Sequence, residues 1–373
     1  MATLLDTDRL HLARAIEIAE HGRGRVSPNP LVGAVVVRDD QVLGEGWHDE
    51  FGGPHAEREA LHACGDDAAR GATMYVSLEP CCHVGKTPPC TDVLAEAGLA
   101  RVVVASDDPS EHACGRGLGI LRDEGIEVVM ADGELAARAR LLNQPFRKLA
   151  RTGRPHVLFK SAMSLDGKVA THTGDSKWIS GPDSRRRAHA WRGEIDAVVV
   201  GIGTALADDP LLTSRVDGAS RQPRRVVFDS EGRLPLDSQL VMSAPEIPLT
   251  VVVSRGAPRT ATDGLEFAGA DVIVATGQNE PARIRSALDQ LGAAGISSVL
   301  LEGGPRLAGS FLDAGEVDEL RLFIAPVVLG GSNARDPLEG EGVERIAEAV
   351  RALSLDVERI AEDVLISARL REW

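Results

Sequence analysis

His55 and Glu57 stand two residues apart, and Cys81 and Cys90 follow with eight residues between them. An imidazole and two thiols are donors suited to zinc, and three protein ligands leave a fourth tetrahedral position open, as catalysis rather than architecture requires. Zinc held in this way brings the pKa of water down to roughly 7. Glu57 lies too near His55 to be a comfortable fourth ligand on the same turn. It is well placed to take a proton from that water and return it to a leaving group. The alternative is a closed zinc knuckle, for which His83 is the nearest fourth ligand. Such a knuckle leaves Glu57 without a purpose.

Elements must bring these side chains together. Pro54-His55-Ala56-Glu57 opens a helical run, and Glu79-Pro80-Cys81 leaves an apolar strand and leads, through Cys90, into a helix beginning near Thr91. Thiolates gain from the partial positive charge of a helix start, so two helix N-termini suit this donor set. Around them, LVGAVVV (31–37), TMYVSL (73–78), RVVVAS (101–106) and IEVVM (126–130) alternate with helical stretches, one near 115–124 ending at Gly125. This is α/β layering. The N-terminal stretch reads as an amphipathic helix with no signal-peptide pattern, which points to a cytoplasmic protein.

The chain of 373 residues suggests two domains. The segment NQPFRKLARTGRP (143–155) reads as their connection, so we expect domains at 1–147 and 148–373. After it come HVLFKSAM (156–163), IDAVVVGIG (195–203), RRVVFDS (224–230), LTVVVS (249–254), ADVIVAT (270–276), SSVLLEGG (297–304) and LRLFIAPVVL (320–329), many strands with few evident helices between them. A net charge of −15 argues against a polyanionic partner, because nucleic-acid binding needs a basic surface. No apolar stretch is long enough to span a membrane. Five cysteines, four of them within Cys64–Cys90, indicate metal binding rather than a disulfide framework. Cys64 and Cys114 read as buried thiols, and His48, His62 and His112 as ordinary.

An H-x-E segment followed by P-C…C marks zinc deaminases of nucleobases, although that pattern has only two residues between its cysteines. The longer spacing here, in EPCCHVGKTPPC, together with SPNPLVGAVVV (27–37), resembles the deaminase half of the bifunctional riboflavin-biosynthesis deaminase/reductase family. The resemblance implies that Asn29 contacts a pyrimidine and that Gly85 to Cys90 is the family's insertion. Cys82 stands where Ser is expected and is the alternative to Cys81 as ligand.

Taken singly, the segments of the second half say little. Asp166-Gly167 is a turn, Trp178 alone reads as packing, and Gly303-Gly304-Pro305 is not a dinucleotide fingerprint. In order, SLDGK, GDSKW, GTALADDPLLTSR (203–215), FDS (228–230) and LEGGPRLAGSFL (301–312) resemble the reductase half of the same family. It implies an N-terminal cytidine-deaminase-like α/β/α domain and a C-terminal dihydrofolate-reductase-like α/β domain, with Zn2+ and NADPH as cofactors. Position by position, it places Ala162, Trp178, Thr204, Asp208, Ser230, Gly304, Pro305, Arg306, Leu307, Ala308, Gly309 and Ser310 against NADPH. Ser176, Arg192, Leu212, Arg215 and Glu302 would face the substrate.

Arg192 and Arg215 would clamp a ribose phosphate, since guanidinium forks match phosphate oxygens. Arg185 to Arg187 do the same or form a solvated helix face. Lys160 and Asp208 are candidates for handling the proton. The implied substrate is a phosphorylated pyrimidine processed by a homo-oligomer with no nucleic-acid or membrane partner. The rival is a nucleic-acid or nucleoside deaminase carrying an unrelated C-terminal domain.

Overall fold

The computed structural model describes residues 4–65, 68–84, 88–111, 113, 115–216 and 221–373. Gly85, Lys86, Thr87, His112 and Cys114 of the reading above lie outside them. The chain divides into two compact units, Met1–Gly153 with Trp373, and Arg154–Glu372. The expected 147/148 boundary falls inside a helix, Gln144–Thr152, which buries Arg147 and Lys148 and ends at Gly153 with φ +72°. Polar composition made this segment look like a linker. The connection proper is only the few residues that follow it.

Among the described residues the first unit has five strands, β1 (Gly33–Arg38), β2 (Gln41–Trp47), β3 (Thr73–Val76), β4 (Arg101–Val104) and β5 (Glu127–Met130), in the order β2-β1-β3-β4-β5. β1 pairs antiparallel with β2 and β3, and β3, β4 and β5 run parallel. Their near-continuous apolar runs follow from burial on both faces. Val35, Val37, Tyr75 and Val103 pack on the side of helices Asp6–Ala19 and Gly133–Leu142. Ala34, Val36, Met74 and Val102 face helices Ala56–Cys64, Cys90–Glu96 and Arg116–Asp123. Gly125, at φ +82°, follows the last of these as expected.

β2 was not evident in the sequence, because its first residues are exposed and two of its seven are glycine. Those glycines have a packing reason. A Cβ on Gly44 would come 2.4 Å from the Ala60 carbonyl oxygen, and one on Gly46 would come 2.3 Å from the Ala60 nitrogen. Helix Ala56–Cys64 therefore lies directly on the β2 backbone, which sets the height of His55 and Glu57.

Among the described residues the second unit is built on a nine-stranded sheet of β6 (His156–Ser164), β7 (Ala197–Gly201), β8 (Arg224–Phe228), β9 (Leu249–Ser254), β10 (Asp271–Ala275), β11 (Ser298–Leu301), β12 (Glu319–Ala325), β13 (Ser354–Ile360) and β14 (Asp363–Arg369). Its order is β10-β9-β8-β7-β11-β6-β12-β14-β13. The strands from β10 to β12 are parallel, and β14 and β13 close the sheet antiparallel.

Parallel pairing requires crossovers, and this corrects the expectation of few helices. Helices Pro182–Glu194, Ile202–Asp208, Gln239–Met242, Arg259–Phe267, Glu280–Ala293 and Pro305–Asp313 each join one strand from β6 to β11 to the next. Trp191, Leu240 and Leu265 pack on one face, and Leu288, Leu291 and Phe311 on the other. The β13–β14 hairpin escaped notice because β13 is an edge strand with little burial.

Candidate active sites

His55 is the N-cap of helix Ala56–Cys64, in extended conformation (φ −78°, ψ 158°), and Glu57 lies in its first turn. Cys90 is the first residue of helix Cys90–Glu96, and its backbone N–H donates to Cys81 Sγ at 3.3 Å. The Thr91 N–H donates to the Cys81 carbonyl at 3.2 Å, which ties the loop to the same helix start. His55 Nδ1 lies 3.3 Å from Cys90 Sγ and 3.5 Å from Cys81 Sγ. The ligand atoms of His55, Cys81 and Cys90 all fall within 4.8 Å of one another.

Cys82 is not in this cluster; burial and the nearby Glu79 carboxylate push its thiol up. Cys64, Cys81, Cys82 and Cys90 form no disulfide among the described residues.

The electrostatics suit a bound cation. The hydrogen bond from Cys90, aided by His55, holds Cys81 down at about 4, and its bond to Cys81 together with burial pushes Cys90 up. A divalent ion bound here would hold both sulfurs as thiolates. Glu57 is buried, and burial together with the nearby Cys81 raises its carboxyl above the usual range. A carboxyl of raised pKa at a hydrolytic centre can both accept and return a proton near neutrality.

Asn29, His55, Glu57 and Cys81 line a cavity of about 320 Å³. His48, read from sequence as ordinary, lines it too. Its Nδ1 is 2.8 Å from the Pro54 carbonyl and its Nε2 is 3.1 Å from Asn29 Nδ2. Glu79 also reaches the cavity and accepts from the Gly115 and Gly117 N–H groups at 3.0 and 3.2 Å. Neither role has a local signature, because each depends on a partner fixed only by the fold.

In the second unit a cavity of about 1520 Å³ opens at the carboxyl ends of the parallel strands, where open α/β sheets bind ligands. Ala162, Ser176, Trp178, Arg192, Thr204, Asp208, Leu212, Arg215, Ser230, Glu302, Gly304, Pro305, Arg306 and Leu307 all line it. Three residues assigned with them do not. Ala308 is fully buried in the core. A Cβ on Gly309 would overlap the Glu339 carbonyl oxygen at 1.2 Å. Ser310 donates to Glu280 Oε1 at 2.7 Å and to the Arg306 carbonyl at 2.9 Å. After its first turn the helix carries its residues away from the cavity.

Arg192 differs from the expected phosphate clamp. Its Nε and Nη2 donate to the two oxygens of Glu302 at 2.8 Å each, and Nη1 donates to the Thr213 carbonyl at 3.2 Å. Burial raises the Glu302 carboxyl, but Arg192 and Lys160 hold it down at about 2. Burial pushes the Lys160 ammonium below the usual lysine range, and Glu302 opposes that shift. Lys160, Arg192 and Glu302 form one charged group on the cavity wall. Asp208 is paired with Lys177 Nζ at 2.8 Å. Arg187 pairs with Glu358 at 3.0 Å, whereas Arg185 and Arg186 reach the cavity.

Residues 5–106 match the family model of the cytidine and deoxycytidylate deaminase zinc-binding region, and residues 155–366 that of the RibD C-terminal domain. Fold and sites together define a two-domain enzyme that joins a zinc-binding deaminase domain to a reductase domain. The chain is 43% identical over 360 residues to riboflavin biosynthesis protein RibD of Actinobacillus pleuropneumoniae, covering 96% of this chain and 94% of that one. RibD of Acinetobacter baumannii superposes with a TM-score of 0.86 at 36% identity, covering 99% of this chain and all of the other. The diaminohydroxyphosphoribosylaminopyrimidine deaminase/5-amino-6-(5-phosphoribosylamino)uracil reductase of Thermotoga maritima gives 0.84 at 36% identity, over 98% and 99%. The chain belongs to the RibD family of bifunctional riboflavin-biosynthesis enzymes, which disposes of the rival with an unrelated C-terminal domain. No described helix is long and apolar enough to cross a membrane.

Proposed function

We propose that the first unit deaminates 2,5-diamino-6-(5-phosphoribosylamino)pyrimidin-4(3H)-one, and that the second reduces the ribosyl group of the resulting uracil to give 5-amino-6-(5-phosphoribitylamino)uracil. The observation that carries this reading is the convergence of the His55, Cys81 and Cys90 donors beside a cavity that His55, Cys81 and the buried acid Glu57 line. Zinc fits the donor set, an imidazole and two thiols whose ligand atoms converge at two helix starts. When bound, it supplies the Lewis acidity that makes water nucleophilic near neutral pH. Glu57 takes a proton as water adds to the amine-bearing ring carbon. It passes that proton to the ring nitrogen, then takes the proton of the newly added hydroxyl and gives it to the departing amine, so that a carbonyl forms, water is consumed and ammonia is released. Asn29 holds the ring by its polar edge.

In the second unit, bare backbone at Gly201, Gly303 and Gly304 and the start of helix Pro305–Asp313 line a cavity large enough for a dinucleotide beside a substrate. We assign NADPH there, which supplies a hydride to C1′ of the open-chain imine. With Asp208 tied to Lys177, Lys160 is the group that hands the accompanying proton to the imine nitrogen. Glu302 and Arg192 fix its position, and Arg215 remains for the phosphate.

The test follows ammonia and ribityl product separately, with and without NADPH. Ammonia release should not need NADPH, and ribityl product should. Zinc removal should stop ammonia release and leave reduction of preformed uracil intermediate intact. Ammonia from adenosine in transfer RNA, but none from the pyrimidine, would overturn the assignment.

A further inference from the structure

We propose that His48 is a positioning residue for deamination, which locks the Asn29 carboxamide so that its oxygen is the atom offered to the ring. This rests on the reading of Asn29 as the pyrimidine contact. The geometry fixes every hydrogen in the chain of groups. The Pro54 carbonyl can only accept, so His48 Nδ1, at 2.8 Å, must donate to it. The other ring nitrogen, Nε2, is then the acceptor, and Asn29 Nδ2 at 3.1 Å donates to it.

A flipped carboxamide would set its oxygen against Nε2, acceptor to acceptor. His48 is only 2% exposed, so water cannot readily replace the lost bond. Asn29 itself is held by its backbone N–H to the Val26 carbonyl at 2.9 Å, and the His48 N–H donates to the Val32 carbonyl at 2.9 Å. Both ends of the interaction are therefore pinned to the main chain on one wall of the cavity.

A fixed carbonyl acceptor complements a ring edge that carries an amine or an N–H. A diaminopyrimidinone presents such donors. A free carboxamide could equally present its NH2, and would lose that discrimination. Thus His48 acts through Asn29 on binding rather than on the proton transfers that Glu57 conducts.

The experiment uses the full-length, zinc-loaded protein and measures ammonia release from the diaminopyrimidine substrate alongside zinc per chain. His48→Ala should raise KM about tenfold, the value of one oriented buried hydrogen bond, with kcat and zinc content nearly unchanged. Asn29→Ala should behave alike, and the double variant should be no worse than Asn29→Ala alone. His48→Gln, whose side-chain oxygen can accept at a similar reach, should recover most of the loss.

Independent effects that multiply in the double variant would overturn the proposal. So would loss of zinc in both His48 variants, since that would make His48 a support for Pro54 and His55 instead. A parent protein that releases no ammonia from this substrate would sink the deaminase reading and this role with it. An active parent with multiplying effects would sink this role alone.

Discussion

In the first unit the convergent His55, Cys81 and Cys90 donors and the Glu57 carboxyl come from two short segments and meet at two helix starts, beside a cavity of about 320 Å³. In the second, the cavity is about 1520 Å³ and its wall is assembled from loops that follow many strands of one sheet. Hydrolysis at a metal needs few groups, tightly placed. Holding a dinucleotide and a sugar phosphate side by side needs many groups, each contributing little. Damage should therefore be concentrated in the first site and distributed in the second.

The sharpest way to break this contrast is Glu57→Gln. The amide keeps shape but cannot take a proton, so kcat for deamination should fall by roughly 10²- to 10⁴-fold, with reduction of preformed intermediate unchanged. Ammonia release that persists within tenfold would mean that the proton carrier is another group, and that the first site is as distributed as the second.

What could be read in the sequence follows the same division. His55, Glu57, Cys81 and Cys90 were legible because their relation is set by local spacing and by the helix starts that their own segments encode. The apolar strands were legible for a similar reason, since Val198, Val199 and Val200 need burial on both faces wherever they sit. β13 was not, because an exposed edge strand carries no such signal.

The role of Arg192 was hidden for another reason. Its partner Glu302 is 110 residues away, and only the β7–β11 pairing brings their neighbourhoods together. Ala308, Gly309 and Ser310 show the limit of carrying a turn over as a block, because a helix turns successive residues in different directions.

The Arg192–Glu302 pair is the exception to the expected spread of small effects, and so a second place to test the contrast. Replacing Arg192 by Met takes the bidentate partner from a buried carboxylate and leaves it only Lys160 nearby. It should cost about 3–5 kcal/mol in chemical denaturation, and should abolish reduction while deamination persists. Adding Glu302→Gln should restore part of that stability, because the buried charge that lost its bidentate partner is gone. Reduction should stay lost.

The same pair predicts a pH dependence. Glu302 titrates at about 2 in the folded protein against an ordinary 4.5, so its contribution is present above pH 4.5 and disappears as the pH falls toward 2. It corresponds to roughly 3 kcal/mol. Between pH 5 and 2 the unmutated protein should lose that much more stability than Glu302→Gln. Parallel curves would place the carboxylate in a wetter setting than the bidentate geometry indicates.

Gly309→Ala separates architecture from binding in the second unit. The helix backbone at this position touches the Glu339 carbonyl, and the Glu339 N–H donates to the Pro305 carbonyl at 3.0 Å. An added methyl must push residues 337–341 outward, at a cost of about 1–3 kcal/mol. If Gly309 instead met the cofactor directly, NADPH affinity would fall without a matching loss of stability.

Trp178 is where the smallest change in stability is expected, and it separates a binding surface from a packed one. The residue is 72% exposed, and the Arg185 guanidinium lies 4.7 Å from the ring centroid. An exposed contact of this kind contributes about 0.5–1 kcal/mol, so Trp178→Ala should move the denaturation midpoint very little. A large aromatic face left open on a cavity wall is suited to cover a ligand, and its removal should weaken NADPH binding about fivefold in a fluorescence titration. Equal affinity with a clear loss of stability would show that Trp178 serves Arg185 and the helix that carries it. The second site would then hold its cofactor by its other wall groups, without an aromatic cover.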